Sequence, residues 1–406
     1  MRAIVAEVPP DGRLARQILA ATVIRTILNV SHRMAYPFLP VIARGLGVSI
    51  TSAGLLMTAR STAGLASPFF GPLSDRLGRR RMMAAGLLLS AAGGAVVALF
   101  PRYGTAVVGF GLMGLAVVVF NPSWQAYLGD RVPYARRGRY VALTELAWAS
   151  SLLIGAPLIG LVIARWGWRA PFGLLAGLTF AGALAMLLVL PGDHRRASDR
   201  LSVSSFSRPL KLVLGRRPAV IMLLVTFLLS GSNEVLFVVY GAWMETSFGL
   251  AVGALGVATI VIGVAEMLAE LGVGGLTDRL GKRRAVTRGL AVTAVAYVAL
   301  PLISINLRSS LVGLFLVFLC FEFSVVSNLP LASELVPGAR GTMMALNVAA
   351  LSLGRAVAAP LGTALWSAGG LVWNGLAAGA ACLLAIGLLV VFVDERLLGG
   401  DQPAGV

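Results

Sequence analysis

Gly71-Pro72-Leu73-Ser74-Asp75-Arg76-Leu77-Gly78-Arg79-Arg80-Arg81 returns 203 residues later as Gly274-Gly275-Leu276-Thr277-Asp278-Arg279-Leu280-Gly281-Lys282-Arg283-Arg284, half the length of the 406-residue chain away. Each copy lies between two long apolar segments, so each reads as a tight charged hairpin joining two membrane helices. The glycines permit the turn and a close helix approach. A signal for membrane orientation needs only the cations. The acid kept in both copies, Asp75 and Asp278, therefore argues for a structural latch that pairs locally or caps the N-terminus of a neighbouring helix.

Composition sets the class. With 58% hydrophobic residues, 13% charged residues and 48 glycines, and a mean hydropathy of +0.87, the chain falls outside the range of soluble domains of this length. It reads as an all-α polytopic membrane protein. The net charge of +17 lies in short blocks between apolar runs, which is the pattern of the positive-inside rule. No polar segment is long enough for a nucleic-acid-reading domain, so no nucleic-acid partner is expected. Cys320 and Cys382 both sit inside apolar runs and imply neither a disulfide framework nor a metal site. The segment behind Arg2, Arg13 and Arg16 is longer than a signal-peptide core and reads as a retained first span.

Windows long enough to cross hydrocarbon predict twelve spans. They lie near residues 18–42, 50–72, 82–101, 104–128, 140–165 and 170–191, then 218–243, 253–275, 286–305, 310–332, 342–367 and 372–393. This gives a six-helix bundle over 1–191, a basic amphiphilic linker over 192–217 suited to an anionic lipid surface, and a second six-helix bundle over 218–406. Of the 34 Lys and Arg, Arg44, Arg102, Arg165, Arg169 and Arg308 follow odd-numbered spans and Arg25, Arg33, Arg60 and Arg355 lie within spans. All the others sit in the termini or after even-numbered spans, which predicts cytoplasmic termini and cytoplasmic hairpins in an inner membrane. The halves echo one another beyond the hairpins. Gly155-Ala156-Pro157-Leu158 answers Ala358-Ala359-Pro360-Leu361, and Arg137-Gly138 answers Arg340-Gly341, both at the same offset. Two parallel repeats are implied, with a ligand site at their interface.

These residues resemble the major facilitator superfamily, whose loop between spans two and three carries G-x-L-x-D-R-x-G-R-[RK], here Gly71, Leu73, Asp75, Arg76, Gly78, Arg79 and Arg80. Tyr36-Pro37-Phe38-Leu39-Pro40, Gly167-Trp168-Arg169 and the Pro-Gly pattern of span five look like the drug:proton antiporter branch. The resemblance implies alternating access, with Pro157, Gly160 and Pro360 as hinges. It also implies that Asp75, with Arg76, Arg79 and Arg80, docks near Arg340 to Met343 when the cytoplasmic side is closed, Asp278 and Arg279 forming the second copy. Two positions depart from the branch: Leu161 stands where a second glycine is usual, and Phe110 precedes Gly114 where an arginine is usual.

Charges within spans are costly, about 3 kcal/mol each on insertion scales, and mark cavities or pairs. Spans three, six and twelve have none, and span nine has only Arg288 at its edge. By resemblance these four are the outer, lipid-facing helices. In span one Arg25, Asn29, His32, Arg33 and Tyr36 recur on one helical face. With Arg60, Asn121, Trp124, Gln125, Asn233, Tyr240 and Arg355 they form the expected substrate cavity. Arg60 and Arg355 also admit a reading as internal ion-pair partners, and Glu266 and Glu270, four apart, as a hydrogen-bonded packing pair.

For proton coupling the candidates are Glu234, Glu266 and Glu322. The repeat offset sets Glu234 opposite His32 and Arg33, either as a group that gains and loses a proton or in a permanent pair with Arg33. No nucleophile–base, metal-ligand or phosphate-loop constellation occurs, so neither catalysis nor a cofactor is expected. The reading is a monomeric secondary transporter in contact with membrane lipid, exporting a small amphipathic organic molecule against protons or another coupling ion. Its alternatives are a uniporter or symporter of an organic anion or lipid-like amphiphile, and a membrane receptor that does not transport.

Overall fold

The computed structural model describes residues 12–132, 134–192 and 203–393, apart from the side chains of residues 13, 134–139, 141–142, 203–207 and 273–278. Both chain ends, the first part of the linker, and the side chains of Arg137 and Asp278 thus lie outside the described residues. Among the described residues the chain is helical, without strands. Span one runs as Gly12–Arg33 and Ala35–Leu46, span two as Ile50–Thr62, Ala63–Ala66 and Ser67–Leu77, span three as Arg79–Leu99 and span four as Tyr103–Arg131. Span five is Tyr134–Ser150, Ser151–Gly155 and Ala156–Trp166, and span six is Ala170–Val189. After a linker helix, Val203–Leu214, come Arg217–Phe237 with Tyr240–Phe248, Val252–Ala258 with Ile260–Leu280, Lys282–Ile303 and Leu307–Glu334 as spans seven to ten.

The remaining helix, Arg340–Phe392, is two spans. Its 53 residues would make a rod of about 80 Å, against a hydrocarbon core of about 30 Å. The backbone leaves helical geometry at Gly369 and Gly370, the latter at φ 65°, and turns back there. Spans eleven and twelve meet at the boundary that the sequence predicts. Span one is interrupted for another reason. Pro37 has no N–H to offer the carbonyl four residues earlier, that of Arg33, and the helix breaks at Met34. The repeat-related break in span seven falls at Val238 and Val239. In span five, Pro157 is preceded by one π-helical turn, Ser151–Gly155, a local widening that accommodates the missing donor.

The two hairpins share their backbone as well as their sequence. Gly78 lies at φ 95°, ψ 143° and Gly281 at φ 80°, ψ 141°, a region that residues with a Cβ rarely enter. Within each half the outer helices pack on their neighbours: span three on spans four and six, and span nine on spans ten and twelve. Gly93 and Gly109 face each other's backbone where spans three and four cross, leaving no room for a side chain on either. Across the halves, span one meets span seven, span two meets span eleven, and span five meets span eight.

Those cross-half contacts are tightest at the end of the bundle away from the hairpins. Gly241 of span seven lies against the Pro37 carbonyl of span one, and Gly256 of span eight against Ala156 and Pro157. The Thr58 hydroxyl donates to the Ala356 carbonyl at 2.8 Å. Arg44 and Glu245 clasp the rim with two contacts of 3.0 and 2.8 Å. At the hairpin end the halves diverge around a cavity.

Candidate functional site

The cavity has two lobes. One, of about 440 Å³, lies among spans one, five, seven, eight and ten. The other, of about 690 Å³, runs between spans two, four and eleven down to Gly71, Asp75 and Gly341 at the hairpin end. They share His32, Gln125, Trp148, Leu329 and Arg355. Volumes of this size suit a small organic ligand. Spans three, six, nine and twelve contribute no residue to either lobe, in keeping with their lack of interior charges.

At the floor of the first lobe Arg33 of span one and Glu266 of span eight, both buried, form a two-pronged ion pair of 2.8 and 2.5 Å. Arg33 also donates to the Trp148 carbonyl at 3.0 Å, and its guanidinium lies 4.2 Å from the centre of the Trp148 ring. These contacts tie spans one, five and eight together. Glu234 is not its partner: that carboxylate accepts from the Tyr36 hydroxyl at 2.7 Å, and its other oxygen has no partner among the described residues. The Tyr36 ring stacks on Phe237 of span seven at 3.9 Å. In place of a fixed Arg33–Glu234 pair and a Glu266–Glu270 packing pair stands Arg33–Glu266, with Arg33 the last helical residue before the break at Met34.

The expected cavity face of span one is split by depth. His32, Arg33 and Tyr36 line the cavity, as do Arg60, Asn121, Gln125, Asn233 and Arg355. Arg25 does not. It is held inside the first half, donating to the Thr144 carbonyl at 2.6 Å and to Glu145 at 3.1 Å. Asn29 is fully buried away from both lobes. Trp124 is packed in the core of the first half, its ring 6.0 Å from Tyr127. Tyr240 is buried against span eight, accepting from Thr259 at 3.2 Å. Periodicity identifies a helical face but not which turns of it reach the cavity, and these four residues mark that difference.

Three cavity residues stand outside the set expected from the sequence. Glu145 and Glu270 line the first lobe, and Trp148 lines both. Glu270 was legible, since it shares a face with Glu266 one turn away. Arg60 and Arg355 have no carboxylate within ion-pair distance among the described residues, so they do not act as internal ion pairs. Arg60 donates to the His32 carbonyl and lies 4.6 Å from the Tyr36 ring centre. Its Nε and one Nη have no partner among the described residues. Gly114 leaves span four open for the Arg60 backbone, while Phe110 points at Phe172 of span six, 6.0 Å away.

At the hairpin end Asp75 pairs with Arg79, one turn on in its own motif, and its half-exposed carboxylate lines the mouth of the second lobe opposite Gly341 and Thr342. It does not cap span eleven in this state. The arginines tie the half together instead: Arg79 reaches Asp130 of span four at 3.5 Å, and Arg80 donates to the Leu190 carbonyl, past the end of span six, at 3.0 Å. The second half repeats this, with Lys282 on Glu334 of span ten and Arg283 on the Val390 carbonyl of span twelve at 2.9 Å. Arg76 and Arg279 are exposed. Of the hinge candidates, Pro157 follows the π turn, Gly160 abuts Val252 and Gly253 of span eight, and Pro360 lies within unbroken helix.

Comparison with known proteins bears on this arrangement directly. The family described as Major Facilitator Superfamily matches residues 22–319 and again residues 222–405, as an internally repeated chain does. The uncharacterized MFS-type transporter YceJ of Bacillus subtilis (strain 168) is 25% identical over 332 residues, covering 82% of this chain and 84% of its own. Multidrug resistance protein 2 of the same organism is 23% identical over 387 residues, 93% and 95% of the two chains. The multi-drug resistance efflux pump PmrA homolog of Lactococcus lactis subsp. lactis (strain IL1403) is 24% identical over 301 residues, 71% and 73% of the two chains. A twelve-span chain with a repeated hairpin, a cavity between its halves and matches of this extent belongs to the Major Facilitator Superfamily.

Proposed function

We propose that this transporter exports a small amphipathic organic molecule in exchange for protons, with residues 1–191 and 218–406 rocking about the cavity as a monomer and 192–217 linking them. The observation that carries the reading is the state of the buried carboxylates. Glu266 is committed to Arg33, whereas Glu234, Glu270 and Glu322 line the same lobe without an ion partner among the described residues. Glu234 takes its one hydrogen bond from Tyr36 of the other half. Separating the halves removes that donor and changes the solvation of the carboxylate, the kind of change that moves a proton on or off.

The apolar walls, with Phe237, Phe318 and Phe321, suit an amphipathic ligand, and two relatives are named as multidrug resistance or efflux proteins. The hairpins face the cytoplasm of an inner membrane, by the cation asymmetry. The cavity then opens inward and the Arg44–Glu245 end is the closed outer gate. Purified protein in vesicles tests the coupling. An imposed proton gradient should drive accumulation of a small amphipathic organic probe, and accumulation that ignores the gradient overturns the proposal.

A further inference from the structure

Once every ion pair in the cavity is assigned, acidic and basic side chains remain without an ion partner among the described residues. Arg33 is matched by Glu266 and Glu145 by Arg25. Left over among the described residues are Glu234, Glu270 and Glu322 in the first lobe, Arg60 in the second, and Arg355 at the waist between them. Arg60 is 1% exposed, Glu234 2% and Glu322 9%, while Glu270 and Arg355 are half-buried. An uncompensated charge in such a setting is strongly unfavourable. Opposite charges in one protein ordinarily relieve it by pairing. Here Arg60 is instead anchored to the His32 carbonyl and the Tyr36 ring, and Arg355 has no carboxylate within ion-pair distance among the described residues although it lines the same lobe as the three acids.

We infer that the cavity selects dipolar amphiphiles, molecules with a cationic group and an anionic group joined to an apolar body. The cationic group meets Glu270 and Glu322, the anionic group meets Arg355 and Arg60, and the apolar body lies along Phe318 and Phe321. A purely cationic ligand leaves Arg60 and Arg355 unmatched. A purely anionic ligand leaves the carboxylates unmatched. Only a ligand with both charges satisfies the two lobes at once. The inference rests on the transport reading for the location of the ligand, but not on proton coupling.

Three probes with one phenylbutyl tail separate the cases: a trimethylammonium, a carboxylate and a betaine carrying both groups, titrated calorimetrically into the full chain in lipid nanodiscs. The expected result is betaine binding at least about tenfold tighter than either single-charge probe, a difference of about 1.4 kcal/mol. Arg355→Gln should bring betaine affinity down to that of the trimethylammonium probe while leaving the latter within twofold. Glu322→Gln should weaken betaine and trimethylammonium together and spare the carboxylate. Arg355 makes no hydrogen bond with the described residues that its removal would strand, so this variant is expected to fold, and its melting temperature checks that. Equal binding of trimethylammonium and betaine by the unaltered protein, no betaine binding, or an unchanged preference in Arg355→Gln each overturns the inference. Betaine selectivity without gradient-driven transport instead overturns the proton-coupling proposal alone.

Discussion

Arg33 and Glu266 join the two halves of the molecule at the cavity floor through a two-pronged, buried ion pair. Because Arg33 leaves span one where Pro37 interrupts the helix, the position of this cation follows from a backbone break that the sequence encodes. The pair closes span one on span eight while Tyr36 and Glu234 close span one on span seven. Both contacts cross between halves, so both are altered when the halves move.

The first prediction concerns that pair's contribution to stability. Removing one member strands a buried charge, a change that ordinarily costs about 3–5 kcal/mol. Arg33→Gln and Glu266→Gln should each lower the melting temperature of the purified protein sharply, and Arg33→Met with Glu266→Leu should recover most of the loss. Single variants that melt with the unaltered protein would show that water reaches the pair.

The Arg44–Glu245 clasp should behave differently. It is exposed, with Arg44 at 58%, and pairs of that kind contribute about 0.2–1 kcal/mol. Arg44→Gln is thus expected to leave melting nearly unchanged. Cysteines at both positions, on a background with Cys320 and Cys382 replaced by Ser, should be bridged by a short bifunctional thiol reagent, and bridging should stop transport. Transport that persists after complete bridging contradicts a gate at this end.

For the hairpin end, Asp75 pairs with Arg79 in the present state and is free to meet the N-terminus of span eleven when the cavity closes there. A carboxylate at a helix N-terminus gains about 0.3–1 kcal/mol when exposed and up to about 2 kcal/mol when partly buried. Asp75→Asn should shift the population toward the form open at the hairpins and slow turnover while leaving ligand affinity within a few-fold. A large affinity loss in protein locked by the Arg44–Glu245 bridge would count against the latch.

Orientation is testable without function. Single cysteines at Arg102 and Arg308 should react with an impermeant thiol reagent from outside intact cells, and those at Arg131 and Arg216 only after permeabilisation. Outside labelling at Arg131 reverses the assignment of both hairpins.

What was legible in the sequence follows from what each signal measures. Apolar length and the repeated hairpin give twelve spans in two halves, because a membrane penalises any other placement of these segments. Interior charge separates the cavity-lining helices from spans three, six, nine and twelve for the same reason. Pairing was less legible. The partner of Arg33 depends on how span one packs against spans five and eight, through contacts between residues remote in sequence. Depth along a helix is also hidden: Asn29, Trp124 and Tyr240 have the residue types of a cavity wall and the burial of a core.

The central claim, that Glu234 carries the coupling proton, is tested most directly by Glu234→Gln in vesicles with an imposed pH gradient. The amide keeps the shape and can still accept from Tyr36, but it cannot release a proton. The account predicts that gradient-driven accumulation is lost while downhill exchange of the same probe continues. If Glu234→Gln still concentrates the probe in response to the gradient, the claim is wrong and the proton travels by another carboxylate.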